Sequence, residues 1–355
     1  MSVFGTIIGV GQCGTRIGAE FEKIGYNVKY INTDIHDVVN KENTLLLDTE
    51  GTGCSVLKGQ QLAEQNRNAI IKLLKSISKE SDSILCIGGA GGGTGGGVVP
   101  FLLELCHNEL EFKKVGTLLT LPLSMLDILA MSNAMKTLKQ VKNYSSYLML
   151  ADNQYLIDKL GVGTTTFWSN VNNYIVTTVS SLDKIYDESK TSFSGMGSID
   201  KEEVSRLLHT TKGLCDISIV YLPDTTLSLD TEVVIQKLFE PSLIQGLDYK
   251  KTTAYICCID TPPNTSLYNH VAMNIFDQVK KKHGNAISRL GMFQTSLVKE
   301  GGILVTRFSA GLDYPKVIQS RIKNLKRDEE RFLTKRSQTR LTSLDESDFV
   351  DLDEI

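Results

Sequence analysis

The sequence lacks any run of about 18 apolar residues, which excludes a membrane-spanning helix. Its opening residues carry no basic stretch ahead of an apolar one, so we expect no signal peptide. The seven cysteines are odd in number, and none is spaced as CxxC, which argues against a disulfide framework and against a zinc ribbon. These absences predict a cytoplasmic protein without metal-ligating side chains.

An excess of positive charge is also missing. The 355 residues carry a formal net charge of −3. The negative charge is concentrated in the last thirteen residues, Ser343 to Ile355, which hold six acids and no base. The rest of the chain is nearly neutral, so we predict no direct binding of nucleic acid.

Short apolar runs alternate with helical patterns through the first half of the chain. The runs are rich in Val, Ile and Leu without regular alternation, as expected of parallel strands buried on both faces. The predicted strands are Val3–Val10, Val28–Asn32, Ser83–Ile87, Val115–Leu121 and Tyr147–Ala151, and the helical windows include Leu57–Ser78 and Asp127–Tyr144. This order predicts an α/β domain with a doubly wound parallel sheet over residues 1–165.

The pattern changes near residue 166. From Phe167 to Glu188 apolar residues recur every three or four positions, which predicts a central connecting helix of roughly 33 Å within residues 166–190. The next segment predicts a smaller α+β domain with a mixed sheet over 191–312. A C-terminal helix is predicted over 313–342, followed by an acidic disordered tail over 343–355.

A first glycine-rich loop, GVGQCG at Gly9–Gly14, stands between a predicted strand and a helix. Glycines in this context let backbone amides approach a phosphate at the positive end of the helix. Asp34 follows at the end of the next strand, where dinucleotide-binding dehydrogenases carry an acid that binds ribose. This loop alone leaves open an NAD-dependent oxidoreductase and a strand–helix turn without a ligand.

A second glycine-rich loop favours a different ligand. Eight of the ten residues from Gly88 to Gly97 are glycine, between a predicted strand and a helix from about Val98. Ordering so many glycines costs more backbone entropy than a turn requires, which favours a nest of amides around phosphates. Two such loops suit a nucleoside di- or triphosphate gripped from both sides, whereas a dehydrogenase needs one. No GK[ST] follows, so this is not a Walker P-loop.

Together the loops resemble those of the tubulin/FtsZ superfamily of GTPases. GQCGTRIG at 11–18 and GGGTGGG at 91–97 match its phosphate loops, with Gly96 where the family signature has Ser or Thr. Segments 31–34, 51–53, 120–122 and 152–154 resemble further family loops in the same order. The resemblance implies binding of GTP and GDP with Mg²⁺. The implied nucleotide contacts are Gly11, Gln12, Cys13, Asp34, Gly53, Gly91, Gly92, Gly93, Thr94, Gly95, Gly96, Asp127, Asn153, Trp168 and Asn172.

Two of these residues lie on the predicted central helix. Trp168 precedes Asn172 by four positions, which resembles the family's aromatic residue stacked on guanine and its amide or acid that reads the base. A side-chain amide has the donors and the acceptor to pair with the guanine edge. Trp168 also lies on the apolar stripe, so packing in the core is the alternative interpretation.

SIDKEEV at 198–204 resembles the family's catalytic loop, which implies catalytic acids at Asp200 and Glu203. Without the resemblance, the same residues are a helix start with favourable first-turn acids. In the family, these acids complete the nucleotide site of the next subunit. The resemblance therefore implies a head-to-tail polymer of the chain, whose GTPase activity depends on assembly.

The short length and charged final helix are most like the TubZ group of plasmid and phage origin, which implies a role in DNA segregation or positioning. A cell-division protein of the FtsZ type is the alternative. The resemblance also implies that the acidic tail docks a DNA-binding adaptor, although a solubilising tail remains the alternative. Other classes left open are the NAD-dependent oxidoreductase and a catalytically dead scaffold of the same fold.

Overall fold

The structure is a computed structural model and describes residues 2–110, 112, 114–123, 128–161, 167–186, 191–192, 199–222, 230–263, 269–296, 298–299, 301–318, 320–321, 324 and 327. The chain divides into two compact units. The larger unit comprises Phe4–Asn173 and Tyr314–Ile355, and the smaller unit comprises Met1–Val3 and Tyr174–Asp313. Among the described residues, no helix is both long and apolar enough to cross a membrane.

The larger unit is built on a parallel sheet. Its strands are β1 (Thr6–Val10), β2 (Val28–Asn32), β3 (Thr44–Leu46), β4 (Ser83–Gly89), β5 (Lys114–Leu121) and β6 (Tyr147–Asp152), in the spatial order β3-β2-β1-β4-β5-β6. Its helices are α1 (Gly11–Lys23), α2 (Val56–Gln65), α3 (Arg67–Ile77), α4 (Gly93–Asn108), α5 (Ile128–Tyr144) and α6 (Asn153–Leu160). Every residue of β1 and β6 is buried, which explains the missing alternation. The predicted α/β fold class is confirmed.

The smaller unit has a mixed sheet. α7 (Phe167–Ser180) crosses the boundary between the units. It is followed by β7 (Thr191–Ser192), α8 (Lys201–Thr210), β8 (Leu214–Leu222), α9 (Thr231–Leu238), β9 (Ala254–Thr261), α10 (Asn269–His283), β10 (Ile287–Gln294) and β11 (Ile303–Leu312). β11 pairs antiparallel with β8 and β9, whereas β10 pairs parallel with β9 and antiparallel with β7. Helices α9 and α10 bury their apolar faces in one cluster with this sheet.

Two predicted helices end early because polar side chains compete for backbone groups. The window 57–78 is two helices, interrupted at Asn66, whose amide nitrogen donates to the carbonyls of Leu47 and Leu62. The helix predicted to reach Glu188 ends at Ser180, where serine hydroxyls bond back to carbonyls one turn earlier. The backbone then tightens into a 3₁₀ turn, Asp183–Tyr186.

A charged side chain lies at the centre of the smaller unit. Arg307 is fully buried, and its guanidinium pairs with Asp216 at 2.5 Å and contacts the face of Tyr249 at 4.3 Å from the ring centroid. His283 is equally buried. Its Nε2 forms a hydrogen bond of 2.7 Å with Ser309 Oγ, and its ring stacks on that of Tyr255. Burial lowers the pKa of His283 to about 4, since the neighbouring arginine also disfavours a second positive charge.

The chain returns to the larger unit at residues 314–321, which we call the C-terminal segment. Tyr314 is half-buried, with the Lys142 ammonium 5.8 Å from its ring centroid, and burial raises its pKa to about 12. Ile318 is completely buried. Arg321 forms an ion pair with Asp152 at 2.6 Å. The predicted final helix is present at 316–318, 320–321, 324 and 327, and the acidic tail lies outside the described residues.

Candidate nucleotide-binding site

The carboxyl edge of the parallel sheet brings the two glycine-rich loops together. β1 and β4 are neighbours, and the chain proceeds from β1 to β2 on one side but from β4 to β5 on the other. Such a reversal of strand order opens a crevice at the carboxyl ends of the two strands, where ligands bind in open α/β sheets. Both loops at this crevice lead directly into helices, α1 and α4.

The loop after β1 turns into α1 at Gly11. Its φ of 66° lies in the left-handed region, which favours glycine. A Cβ on Gly11 would be 3.0 Å from the Cβ of Thr94 and 3.3 Å from the amide nitrogen of Gly95, so the two loops touch. No side chain caps α1, which leaves first-turn amides, including those of Gln12 and Cys13, free to bind a ligand.

The second loop is shorter than predicted, because α4 begins at Gly93 and not near Val98. Gly92 is the N-cap and provides no side-chain acceptor for the first-turn amides of Gly93 and Thr94. The two helix N-termini thus direct uncapped N–H groups and the positive ends of two dipoles toward one place. This arrangement suits phosphate oxygens, and contact of Gly91–Gly96 with phosphates stays a prediction.

The remaining glycines of the run allow two helix backbones to touch. A Cβ on Gly97 would lie 2.5 Å from the carbonyl oxygen of Val56, and one on Gly59 would lie 2.3 Å from that of Gly93. Real side chains do not fit at such distances, so α2 and α4 pack backbone to backbone. The entropy cost of the glycine run is therefore offset partly by packing, a use that the sequence pattern did not reveal.

Three hydroxyls meet beside the N-terminus of α4. Thr33 Oγ1 and Thr94 Oγ1 are 2.6 Å apart, and Thr52 Oγ1 is 3.4 Å from Thr94 Oγ1. They come from the ends of β2 and α4 and from the segment before α2. Thr33 and Thr52 lie in the predicted family loops 31–34 and 51–53, but neither was predicted as a contact residue, since a single threonine in a loop gives no distinctive signal.

Helix α5 supports the second loop with two buried polar side chains. Thr137 Oγ1 has one hydrogen to donate, and three carbonyls lie around it: Asn133 at 2.9 Å, one turn earlier in α5, Ala90 at 3.1 Å and Gly96 at 3.4 Å. A Cβ on Gly96 would lie 2.8 Å from this hydroxyl, so Thr137 occupies the space into which a Ser or Thr at position 96 would project. One turn earlier, Asn133 donates to the carbonyls of Gly91 and Cys54. Sequence reasoning missed both residues, although their spacing by four on one helix face was a signal.

The predicted family loop at 51–53 has left-handed backbone at Gly51 and Gly53, with φ values of 77° and 58°, and Cys54, the residue after it, has a φ of 63°. Asp34 lies against this loop, because a Cβ on Gly51 would be 3.4 Å from its Oδ2. The Lys58 ammonium donates to the Gly51 carbonyl over 2.6 Å. Gly53 lies near the crevice because it follows Thr52, whose hydroxyl is beside Thr94. Asp34 lies there too, because it is next to Gly51 of the same loop.

Gln12 and Cys13 differ in their surroundings. Gln12 Nε2 donates to Asp37 Oδ1 over 2.7 Å at the exposed rim. The Cys13 sulfur lies 3.1 Å from Thr120 Oγ1, and a Cβ on Gly89 would be 3.2 Å from the Cβ of Cys13. Burial raises the pKa of the Cys13 thiol, so it is present as a neutral group. It therefore adds no negative charge beside the phosphate-binding amides.

The predicted base-side residues occupy two places. Asn153 is 9% exposed at the first position of α6, next to the N-cap Asp152. Trp168 and Asn172 share one face of α7, and Trp168 is 41% exposed with its ring edge against Phe167. The alternative that Trp168 is a core residue is therefore wrong, because a core tryptophan would be covered. Asp127 lies outside the described residues.

The predicted catalytic acids form a helix cap in the smaller unit. Asp200 is the N-cap of α8 and accepts from the Glu203 amide over 2.8 Å, while Glu203 accepts from the Asp200 amide over 3.4 Å. Arg289 also donates to Glu203 Oε1 over 3.1 Å. The structural interpretation of these acids is confirmed. The catalytic interpretation stays a prediction: Asp200 is exposed, and the Glu203 amide bonds one of its two carboxylate oxygens, Oδ1.

Comparison with known proteins identifies the unit that carries the glycine loops. Residues 6–161 match the model of the tubulin/FtsZ family GTPase domain. This segment is similar to the tubulin/FtsZ GTPase domain. The predicted enzyme class, a GTP hydrolase, is thereby confirmed, and the NAD-dependent oxidoreductase is excluded. The GTPase domain begins at β1 and ends just after α6, so it contains both phosphate-side loops and Asn153.

Relatives of the whole chain come from several groups of the family. A tubulin-like protein CetZ of Pyrococcus furiosus is 21% identical over 339 residues, which cover 92% of this chain and 90% of the relative. The GTPγS-bound protofilament of CetZ2 from Haloferax volcanii has a TM-score of 0.76 at 19% identity, covering 92% of this chain and 98% of that one. A GTPγS-form protofilament of TubZ from Bacillus thuringiensis has a TM-score of 0.75 at 18% identity, covering 95% and 94%. The likeness to the TubZ group is therefore shared with CetZ.

Proposed function

We propose that this GTPase assembles head to tail and hydrolyses GTP at the contact between successive subunits. The observation that carries the proposal is the distribution of the site residues between the two units. The phosphate-binding helix ends belong to the larger unit, whereas Asp200 and Glu203 belong to the smaller unit. A subunit that presents the site on one unit and the acids on another is suited to complete its neighbour's site.

The larger unit would hold the nucleotide. First-turn amides of α1 and α4 would bind phosphate oxygens, and Trp168 with Asn172 and Asn153 would bind the base. No group of three His, Cys, Asp or Glu side chains among the described residues could hold a metal ion. Mg²⁺, which would neutralise charge during phosphoryl transfer, would be held by the phosphates together with the hydroxyls of Thr33 and Thr94.

The acids of α8 would supply what this unit lacks. Hydrolysis of GTP adds water to the γ-phosphate and releases GDP and inorganic phosphate, so the attacking water must be oriented and must lose a proton. A carboxylate can accept that proton, and Asp200 is the exposed member of the pair. Glu203 would position Asp200 through the reciprocal cap, since Arg289 holds the other end of its carboxylate.

A head-to-tail contact joins two different faces and does not close on itself, so it generates a filament. The similar CetZ2 and TubZ structures are themselves protofilaments. We therefore propose that this chain also forms protofilaments with GTP, and that loss of the γ-phosphate weakens them.

The test measures GTP turnover and light scattering across a range of protein concentrations, with GDP as the assembly control. We expect turnover per subunit to rise through the concentration at which scattering appears. Constant turnover per subunit on both sides of that concentration would overturn the proposal and would indicate a complete site in the monomer. Absence of any turnover with intact GTP binding would indicate the dead scaffold instead.

For the cellular role, we propose that the filament positions or segregates plasmid or phage DNA through a basic adaptor bound to residues 343–355. Support comes from the likeness to TubZ and from the six acids in this tail. A variant lacking 343–355 should assemble normally, whereas adaptor captured by pelleted filaments should fall to background, and capture by the intact filament should weaken with salt. Unchanged capture would leave the tail as a solubilising segment, and FtsZ-like division would then be the role to test.

A further inference from the structure

The contact between Arg321 and Asp152 joins the C-terminal segment to the start of α6. Asp152 is completely buried, and its two carboxylate oxygens have different partners. Oδ1 accepts from the Gln154 amide over 3.1 Å as the N-cap of α6, and Oδ2 accepts from Arg321 Nη2 over 2.6 Å. The Asp152 side chain thus caps the N-terminus of α6 and also pairs with an arginine about 170 residues later in the chain.

This pair is costly to break. The side chain of Arg321 is 11% exposed and that of Asp152 is 0% exposed, so each charge depends on the other for compensation. The second terminal nitrogen of Arg321, Nη1, is buried and has no acceptor within the described part of the chain. Among the described residues, Asp152 is therefore the side chain that anchors the guanidinium.

The position of the pair matters because Asn153 is the next residue. Asn153 is almost buried at the first turn of α6, where its backbone direction is determined by the Asp152 cap. Without Arg321, a buried carboxylate would lose its counter-charge, and the loop would rearrange to bring Asp152 to water. The rearrangement would move the side chain proposed to contact the base.

We infer that Arg321 is a positioning residue for guanine-nucleotide binding, and that docking of the C-terminal segment and binding of the base stabilise each other. The inference rests on the proposed function, since it takes the start of α6 as the base side of the site. Two further contacts, Ile318 in the core and Tyr314 beside Lys142, hold the same segment in place. Coupling between two events is reciprocal, so each should be measurable from the other side.

The experiment compares the full-length chain with Arg321→Ala and Arg321→Lys. Arg327→Ala is the matched control, because Arg327 lies further along the same helical stretch and is exposed. The affinity for a fluorescent GDP analogue should fall about tenfold in Arg321→Ala, partly recover in Arg321→Lys, and stay unchanged in Arg327→Ala. Hydrogen exchange of the amides in 314–321 should slow on GDP binding in the natural chain and in Arg327→Ala, but not in Arg321→Ala.

Equal GDP affinity in the natural chain and Arg321→Ala would overturn the inference. If Arg321→Ala fails to fold, hydrogen exchange in the natural chain tests the inference alone. An exchange rate over 314–321 that does not change with GDP would also overturn the inference. Failure of the natural chain to bind any guanine nucleotide would instead overturn the proposed function. Slower exchange with GDP together with weaker binding in the variant would support positioning, since a merely structural contact predicts no response of the segment to the ligand.

Discussion

Replacing Asp200 separates its role as a helix cap from its proposed role as a catalytic acid. Asparagine caps a helix about as well as aspartate, because its side-chain oxygen also accepts from the N3 amide. Asp200→Asn should therefore keep the bond to the Glu203 amide and lose only the charge near the helix dipole, which costs about 0.3–1 kcal/mol. Asp200→Ala should lose the cap as well, for a total of about 1–2 kcal/mol.

The effects on turnover should not follow those on stability. Removing a positioned base commonly slows a reaction by about 10²–10⁴-fold, so both variants should hydrolyse GTP far more slowly above the assembly concentration. GTP affinity should be almost unchanged in both variants, since Asp200 belongs to the smaller unit. Filaments of both variants should persist longer than natural ones, because less GDP is formed.

Asp230 provides the matched control. It is the N-cap of α9 in the same unit and accepts from the Glu232 amide over 2.9 Å, yet nothing assigns it to the site. Asp230→Asn and Asp230→Ala should lower the free energy of unfolding in urea as much as the corresponding Asp200 variants do. Both should hydrolyse GTP at the rate of the natural chain. Natural turnover in Asp200→Asn would refute the catalytic role and leave Asp200 as a cap alone. Equal slowing by Asp230→Asn would show that the loss is general.

Three other outcomes are expected. Thr137→Val should lower stability to urea by about 1–3 kcal/mol and weaken GTP binding, because the hydroxyl shared by the Ala90, Gly96 and Asn133 carbonyls is lost, whereas Thr137→Ser should behave naturally. Asn172→Ala should weaken GTP binding about tenfold, and by more than Asn153→Ala does. It should hardly change the affinity for ATP. Equal losses of affinity for GTP and ATP would show that Asn172 has a structural role. Histidine in the unfolded chain takes up a proton below pH 6.5, whereas folded His283 does so only near pH 4. The free energy of unfolding should therefore fall by about 3 kcal/mol as the pH is lowered from 6.5 to 4. His283→Gln should flatten this pH dependence, measured by urea titrations.

The sequence predicted most strands of the larger unit because their signal is local, although β3 was not predicted and β1 begins at Thr6, not at Val3. Val28–Asn32 is a strand with the predicted bounds, and the starts of β4 and β6 also agree. Apolar runs between turn residues identify buried strands without knowledge of their partners. Helix ends were less predictable, since Asn66 and Ser180 stop helices by side-chain hydrogen bonds while the apolar periodicity continues past them.

The site was predictable where residues form an unusual pattern, and not where a single residue of a common type contributes. The glycine loops were found because few other needs explain so many glycines, yet the beginning of α4 inside the run depends on contact with α2. Thr33, Thr52 and Thr137 were missed because a threonine has many uses, and only the folded chain shows that these three meet the loops.

Because the C-terminal segment packs on the larger unit, that unit can be completed only late in synthesis on the ribosome. The GTPase domain cannot acquire Ile318 and Arg321 until the whole smaller unit, Tyr174–Asp313, has been translated. At about 5–20 residues per second, that interval of ~140 residues lasts roughly 7–28 s. Throughout it, Asp152 lacks its counter-charge, so a nascent chain is expected to hold guanine nucleotide poorly and to gain affinity only as synthesis finishes.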